Sequence, residues 1–444
     1  MSRYNDHGTP MDISRLEGGR VGVGKTSRWL WFLLGCAGPF LEIPGGAQER
    51  ESLAGEKAAQ ALKEAVLAEA QKYNMQLGPV RFQLGAGVQA GYTDNVFYSQ
   101  TNRMDDFVIE PQANLAAFMQ VSEINTLRLS LGLGYEYYVK HSVLNANAPL
   151  VNPDSELAFN LFVGDFRIRL HEKFSYQETL FINTGANGQD LLFNFNNVGT
   201  FVRWDNLAGF NLDWDLNKFI LSAGYNHENF ESSTASFEYL NRASEWFTAS
   251  AAFLLGDQAK IGLESKASLH DYQRETVLND HWRARGGPFV EVMLPEKISF
   301  RAGGGYDTAR YDSAGAGSDF KTYYAYGKLS QETRFFTHSL SAGREDLLGE
   351  NANNLEDTYV RYAISSPVVD HLDLDANASV HFDKEFGGGF AERFTYYVVG
   401  LKAGYQFNKY WRADLVYEFM LKNSNLDLRT FDRDRVTLGV TFTF

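Results

Sequence analysis

The sequence holds a single cysteine, Cys36, in 444 residues. That excludes a disulfide framework and any zinc site built on several thiolates. Proline is scarce at 10 residues, so few places break a ladder of backbone hydrogen bonds. Basic charge is in deficit: 41 Lys and Arg stand against 55 Asp and Glu, a formal net charge of -14. Nucleic acid needs basic patches to neutralise its phosphates and is not an expected partner. Past the N-terminal region no apolar run approaches the ~18 residues that a spanning helix requires. If this chain crosses a membrane, strands must do the crossing.

Aromatic residues and glycine are abundant, with 34 Phe, 23 Tyr and 40 Gly. Charged residues make up 22%, too many for a bundle of membrane helices. By size alone the chain could be several soluble domains, but one closed sheet can run to several hundred residues.

The N-terminus reads as a secretory leader. Lys25 and Arg28 precede an apolar run from Trp29 to Ile43, and the small residues Gly45 and Ala47 follow. A basic segment, a short apolar core and a small-x-small pattern mark a signal peptide over residues 1–47. Leu33-Leu34-Gly35-Cys36 also looks like a lipobox, which would make Cys36 a lipid-modified terminus. The short apolar stretch between Arg28 and Cys36 favours the plain leader. Residues 48–79 read as a periplasmic linker with a helix over 53–73, rich in Ala, Leu, Glu and Lys. Leu62, Ala65, Val66 and Glu69 share one face, a weakly apolar stripe. A solvated linker is the simpler reading, and a plug or docking helix the sharper one.

From about residue 80 the period changes from 3.6 to 2. In Thr126–Lys140 the leucines 127, 129, 131 and 133 fall on one face, while Arg128, Ser130, Gly132 and Glu136 fall on the other. Residues 298–307, 372–383 and 411–422 alternate in the same way. Soluble strands average five or six residues, whereas a tilted membrane strand needs about 9–11. Length therefore favours a transmembrane strand. An apolar face against a polar, charged face means lipid outside and water inside a closed barrel.

The connections alternate too. Short turns are expected at Ser122–Asn125, 164–165, 216–218, 256–258, 295–297, 332–334, 370–371 and 408–410. Longer polar loops are expected near 98–106, 141–154, 181–197, 231–242, 273–281, 312–319, 348–355, 386–391 and 423–431. This predicts an all-β, up-and-down antiparallel barrel over 80–444 with about 18 strands (16–18) and both ends on one side. Aromatics collect near strand ends and are girdle candidates: Phe97 with Tyr98, Tyr135 with Tyr137 and Tyr138, Trp246 with Phe247, Tyr396 with Tyr397, and Tyr410 with Trp411. The last strand, Arg435 to Phe444, is apolar on the face of Val436, Leu438, Val440, Phe442 and Phe444. An apolar strand ending on Phe resembles the C-terminal signal of outer-membrane proteins, with Phe442 and Phe444 as its assembly residues. That signal implies the barrel-assembly machinery as a partner.

Tyr92, Asp94, Asn95 and Phe97 stand in Gly91-Tyr92-Thr93-Asp94-Asn95-Val96-Phe97, and Asp105-Asp106-Phe107-Val108-Ile109-Glu110-Pro111 follows about ten residues later. The pair resembles the start of the type 2 β-barrel porins and of outer-membrane barrels found beside exopolysaccharide genes. The resemblance covers roughly residues 82–120. It implies an outer-membrane location and a link to polysaccharide export, and supplies no catalytic residues. Read physically, Asp94 and Asn95 simply end a strand well.

Nine scattered histidines form no HExxH or Cys/His spacing, so no metal or cofactor is expected. Gly85-Ala86-Gly87 and Gly303-Gly304-Gly305 lie within strands and lead into no helix, so they make room in the wall rather than cradle phosphate. His338 and Ser339 are neighbours on a strand and point to opposite faces, so no enzyme is expected. The inward register carries both signs: Arg128, Glu136, Arg167, Arg169, Arg203, Asp205, Glu264, Arg301, Asp307, Asp373, Arg412, Asp414 and Glu418. Mixed charge suits a hydrated lumen. The expected function is a porin-like passive channel or an exopolysaccharide-associated barrel. The alternatives are a structural or adhesive barrel displaying its loops and, third, a lipid-modifying enzyme. The expected partners are outer-membrane lipids and small solutes or polysaccharide.

Overall fold

The computed structural model describes residues 56–177 and 202–444, apart from 257, 313, 314, 370, 389 and 390. The expected leader, Cys36 and the loop at 181–197 lie outside the described residues.

The alternating segments form eighteen long strands. They are β1 (Val80–Thr93), β2 (Asp106–Gln120), β3 (Thr126–Gly134), β4 (Glu156–Val163), β5 (Phe166–Gln177) and β6 (Arg203–Asp215). Next come β7 (Phe219–Ser232), β8 (Arg242–Leu254), β9 (Ala259–Tyr272), β10 (His281–Leu294), β11 (Ile298–Tyr311) and β12 (Phe320–Glu332). The last are β13 (Thr337–Leu348), β14 (Asn354–Val369), β15 (Leu372–Phe386), β16 (Glu392–Gln406), β17 (Trp411–Ser424) and β18 (Phe431–Thr443). Each pairs antiparallel with the next. β18 pairs back onto β1, from Gly85 opposite Thr443 to Thr93 opposite Arg435, so the sheet closes and leaves no edge.

Eight short turns and both ends of the sheet lie at one end, the turn end; the longer connections lie at the other, the loop end. Left-handed backbone marks several of the turns: Gly164, Asn217, Gly256, Glu296, Lys297 and His371 have positive φ. Large apolar side chains such as Leu84, Val88, Leu170, Leu263, Leu401, Leu415 and Leu438 are exposed on the outer face. In water that would be an aggregation surface; in hydrocarbon it is the satisfied state.

Two departures from the simple period are informative. The expected fifteen-residue strand at 126–140 stops at Gly134 and resumes only at Tyr137–Tyr138. Leu150–Val151, folding back from the following loop, takes the place beside Leu133 and Gly134. Alternation in sequence survives there, but the ladder does not. The girdle pairs also split, because neighbours on a strand face opposite ways. Tyr137, Tyr397 and Trp411 are exposed on the outer face, whereas Tyr138 and Tyr396 are buried on the lumen side. Trp246 also turns inward and donates its indole N–H to Glu228 at 2.7 Å. Phe97 and Tyr98 belong to a loop, packing on Val96 and Phe431 respectively. Aromatic belts do form at both ends of the strands. Phe166 stacks on Trp214 at 5.3 Å and Phe219 meets Phe253 at 5.0 Å near the turn end, and Tyr92 meets Phe107 at 5.1 Å near the loop end.

Glycine is required where β10 meets β11. A Cβ on Gly305 would stand 2.0 Å from the carbonyl oxygen of Gly286, and one on Gly287 would stand 2.1 Å from that of Gly304. No side chain fits that approach.

Candidate functional site: the lumen

The face opposite the exposed leucines is charged. Arg128, Arg167, Arg169, Arg203, Asp205, Glu264, Arg301, Asp307, Asp373, Arg412, Asp414 and Glu418 all stand on it by strand parity. Glu136 sits in the break after β3, where its carboxylate accepts the Tyr138 hydroxyl at 3.1 Å. Most of these charges meet a partner across the sheet. Arg167 pairs with Asp213 at 2.5 Å, Arg169 with Glu156 at 2.6 Å and Arg283 with Asp307 at 2.7 Å. Arg412 binds Asp373 at 2.6 Å and Asp414 at 2.9 Å. Arg433 reaches Glu418 at 3.8 Å, and Arg435 pairs with Glu110. Some contacts skip strands: Arg301 on β11 reaches Glu264 on β9 at 2.9 Å, and Arg285 on β10 reaches Glu345 on β13 at 3.1 Å. Asp205 lies within electrostatic reach of Arg203, Arg242 and Glu228. The result is a braced wall that presents both signs to the lumen.

At the loop end, connections fold inward. Phe237 and Leu240 from 233–241 and Leu278 from 273–280 bury themselves on Phe230 and Tyr272, two apolar residues of the inner face. Asn353, in the β13–β14 connection, exchanges amide bonds with Asn279 of the β9–β10 connection at 2.9 Å and donates to Ser318 Oγ at 2.7 Å. The Tyr311 hydroxyl donates to the Asn353 carbonyl oxygen at 2.9 Å. Three loops separated by up to 74 residues are thus tied together inside the wall.

Glu350, in the same β13–β14 connection, is buried and has charged neighbours on several walls. Burial raises its carboxyl well above the usual range, and the negative charge of Glu385 raises it further. Arg203, Lys422 and Arg242 pull the other way. These groups sit on β15, β6, β17 and β8, so the Glu350 carboxyl feels charges from several strands of the lumen wall. Both its oxygens lack a hydrogen-bond partner. In sequence 348–355 reads as an ordinary polar loop. The signal that could have found it is the cluster of apolar residues on the polar face, Phe230, Tyr272 and Tyr311 among them, which need covering.

The turn end is narrowed as well. Helix α1 (Glu56–Ala70) docks Val66 and Ala70 on the inward-facing Phe118, with Tyr73 stacked on Phe118 at 5.4 Å. Arg81 donates to the Ala70 carbonyl oxygen at 2.9 Å, and Lys63 pairs with Glu123 at 2.6 Å. The helix is therefore held against β1–β3 rather than solvated as a free linker. Its contact stripe is Val66, Glu69 and Ala70, while Ala65 is exposed.

The residues of the Tyr92–Phe97 motif clamp the seam. The Asp94 carboxylate accepts the backbone N–H of Asp434 at 2.8 Å. Asn95, wholly buried, donates to the carbonyls of Ser99 at 2.9 Å and Asp432 at 2.8 Å and accepts the Ser99 N–H. Phe97 packs edge-on to His141 at 5.5 Å. Phe442 lies on the outer face against Trp411 at 4.9 Å.

No family model matches the chain, and no curated protein matches it. The resemblance to type 2 porins therefore keeps only its coarsest content, a closed antiparallel β-barrel. Among solved structures the fold is similar to OpdK of Pseudomonas aeruginosa with vanillate, at 11% identity over 82% of this chain and 99% of that one, TM-score 0.46. It is similar to OccK2 (OpdF) of Pseudomonas aeruginosa in complex with glucuronate, at 11% identity over 84% and 100%, TM-score 0.47. It is also similar to a BenF-like porin from Pseudomonas fluorescens Pf-5, at 11% identity over 82% and 99%, TM-score 0.48. The eighteen-strand barrel rests on its own register and not on these likenesses.

Proposed function

We propose that this chain is a passive, porin-like channel of a Gram-negative outer membrane, passing small polar solutes. The observation that carries the reading is the closed eighteen-strand sheet, apolar on its outer face and lined with ion pairs on its inner face. A barrel of this size is wide enough for water. With the turn end taken as periplasmic, the longer loops face outward, as in other barrels of this class. Outer-membrane lipids contact the belt, and the barrel-assembly machinery inserts it. The inward loops around Asn353 favour small solutes over a polymer, so the link to polysaccharide export gains no support from the lumen. No catalytic step is assigned: His338 faces the outer wall and Ser339 the lumen, so the two do not form a nucleophile and base.

Planar-bilayer recording on the refolded barrel tests the channel. Discrete conductance steps that scale with salt are expected, together with swelling of liposomes in small sugars. Well-folded protein that never conducts would overturn the proposal and leave a structural barrel displaying its loops.

A further inference from the structure

We infer that Asp357, His381 and Asp383, on the inner wall of the barrel, form a binding site for a divalent cation of the zinc type. Asp357 on β14 stands directly opposite Asp383 on β15, and His381 is two residues before Asp383 on the same inward face. One donor atom from each of the three lies within 4.8 Å of the others. His381 Nδ1 is 3.1 Å from both oxygens of Asp357. Zinc bonds to nitrogen and oxygen run about 2.0–2.2 Å, which sets donors roughly 3–3.5 Å apart around one ion. The pair already has that spacing.

Burial makes the arrangement costly without a cation. The three residues are 0%, 1% and 4% exposed. Both oxygens of Asp383 are buried with no hydrogen-bond partner, and they belong to the same cluster. Like charges directly opposite in a sheet repel, and a buried carboxylate without partners pays a desolvation penalty. Two basic groups lie nearby. Arg361 is 3.9 Å from Asp357, at the edge of an ion pair. Lys422 binds Glu392 at 2.9 Å. A dication between Asp357 and Asp383 removes the repulsion and uses the unpartnered oxygens.

The donor set selects the class of ion. Calcium and magnesium take oxygen ligands, whereas an imidazole beside two carboxylates suits zinc, cobalt or manganese. Three protein ligands leave a fourth position for water or a solute. The ring of His381 is steadied by Tyr359, stacked at 5.9 Å, with the Arg361 guanidinium 4.1 Å over that tyrosine. No sequence motif marks the cluster, because its members come from two strands and are joined only by register.

The test uses the barrel without a polyhistidine tag, refolded in detergent and stripped with chelator. Cobalt titration should give visible absorption bands and one metal per barrel. Zinc should raise the temperature at which the folded gel band converts to the unfolded one. Asp383→Asn and His381→Gln should abolish both effects, while His338→Gln on the outer wall and Glu275→Gln at the loop end keep them. Folded wild-type barrel that takes up no stoichiometric cobalt or zinc would overturn the site and leave a proton shared between Asp357 and Asp383. Equal binding by both variants would overturn it too, placing the metal elsewhere. If the variants fail to fold, the wild-type titration alone decides.

Discussion

Phe444 and Leu84 exchange two backbone hydrogen bonds: the Phe444 N–H donates to Leu84 at 2.7 Å, and the Leu84 N–H donates to Phe444 at 3.0 Å. The last residue is therefore part of the ladder that closes the sheet. Deleting 431–444 would leave β1 and β17 with unpaired backbone groups in hydrocarbon, each costing several kcal/mol. The expected outcome is no assembled barrel rather than a weakened one. A truncated chain that still gives a heat-modifiable, protease-resistant band would refute this.

Glu350 should make the channel pH-sensitive. Its carboxyl is raised by burial and by Glu385, so the inward position of its loop is favoured when it is protonated. That stabilisation is complete below the ordinary glutamate range near 4.5 and is lost as pH rises through the elevated value. Wild-type conductance should increase from acid toward neutral pH as the loop loosens. Glu350→Gln should stay at the low level throughout. A flat wild-type profile counts against the mechanism.

Removing Asn95 should free the loop it anchors. Asn95→Ala loses the bonds to Ser99 and Asp432 and takes the donor from two partly buried carbonyls. The cost is about 1–3 kcal/mol. Limited proteolysis should cut near Arg103 faster, with the barrel band still intact. Unchanged cleavage would show that the clamp contributes little.

Undocking α1 should widen the turn end. Val66→Asp puts a charge against Phe118 and should loosen the helix, so that trypsin cuts faster at Lys63 and Lys72. Unitary conductance should rise, and a chain lacking 56–73 should match it. Equal conductance in all three would mean that the helix does not restrict passage.

Much of this molecule was legible from the period of its side chains. The strand count and the turns at 164–165, 216–218 and 295–297 followed from alternation and turn chemistry, because register and turns are local properties. Parity alone sorted Arg167, Asp307 and Arg412 to one face. Parity could not show what fills the lumen. Leu278, Leu240 and Asn353 sit in segments that read as polar loops, and their burial depends on walls far away in sequence. Trp246 and Tyr396 read as girdle residues because aromatic content alone does not say which of two neighbours faces lipid. Phe118 was the overlooked sign of the docked helix: an apolar ring on the wet face needs a cover.

The clamp between Asn95 and Asp432 joins residues 337 apart in the chain. During synthesis one partner is made long before the other. The first loop therefore cannot reach its final shape until the last strand is in place. Order in 94–105 is a completion mark, and a reagent that recognises only the ordered loop would count finished barrels and ignore chains still waiting for β18.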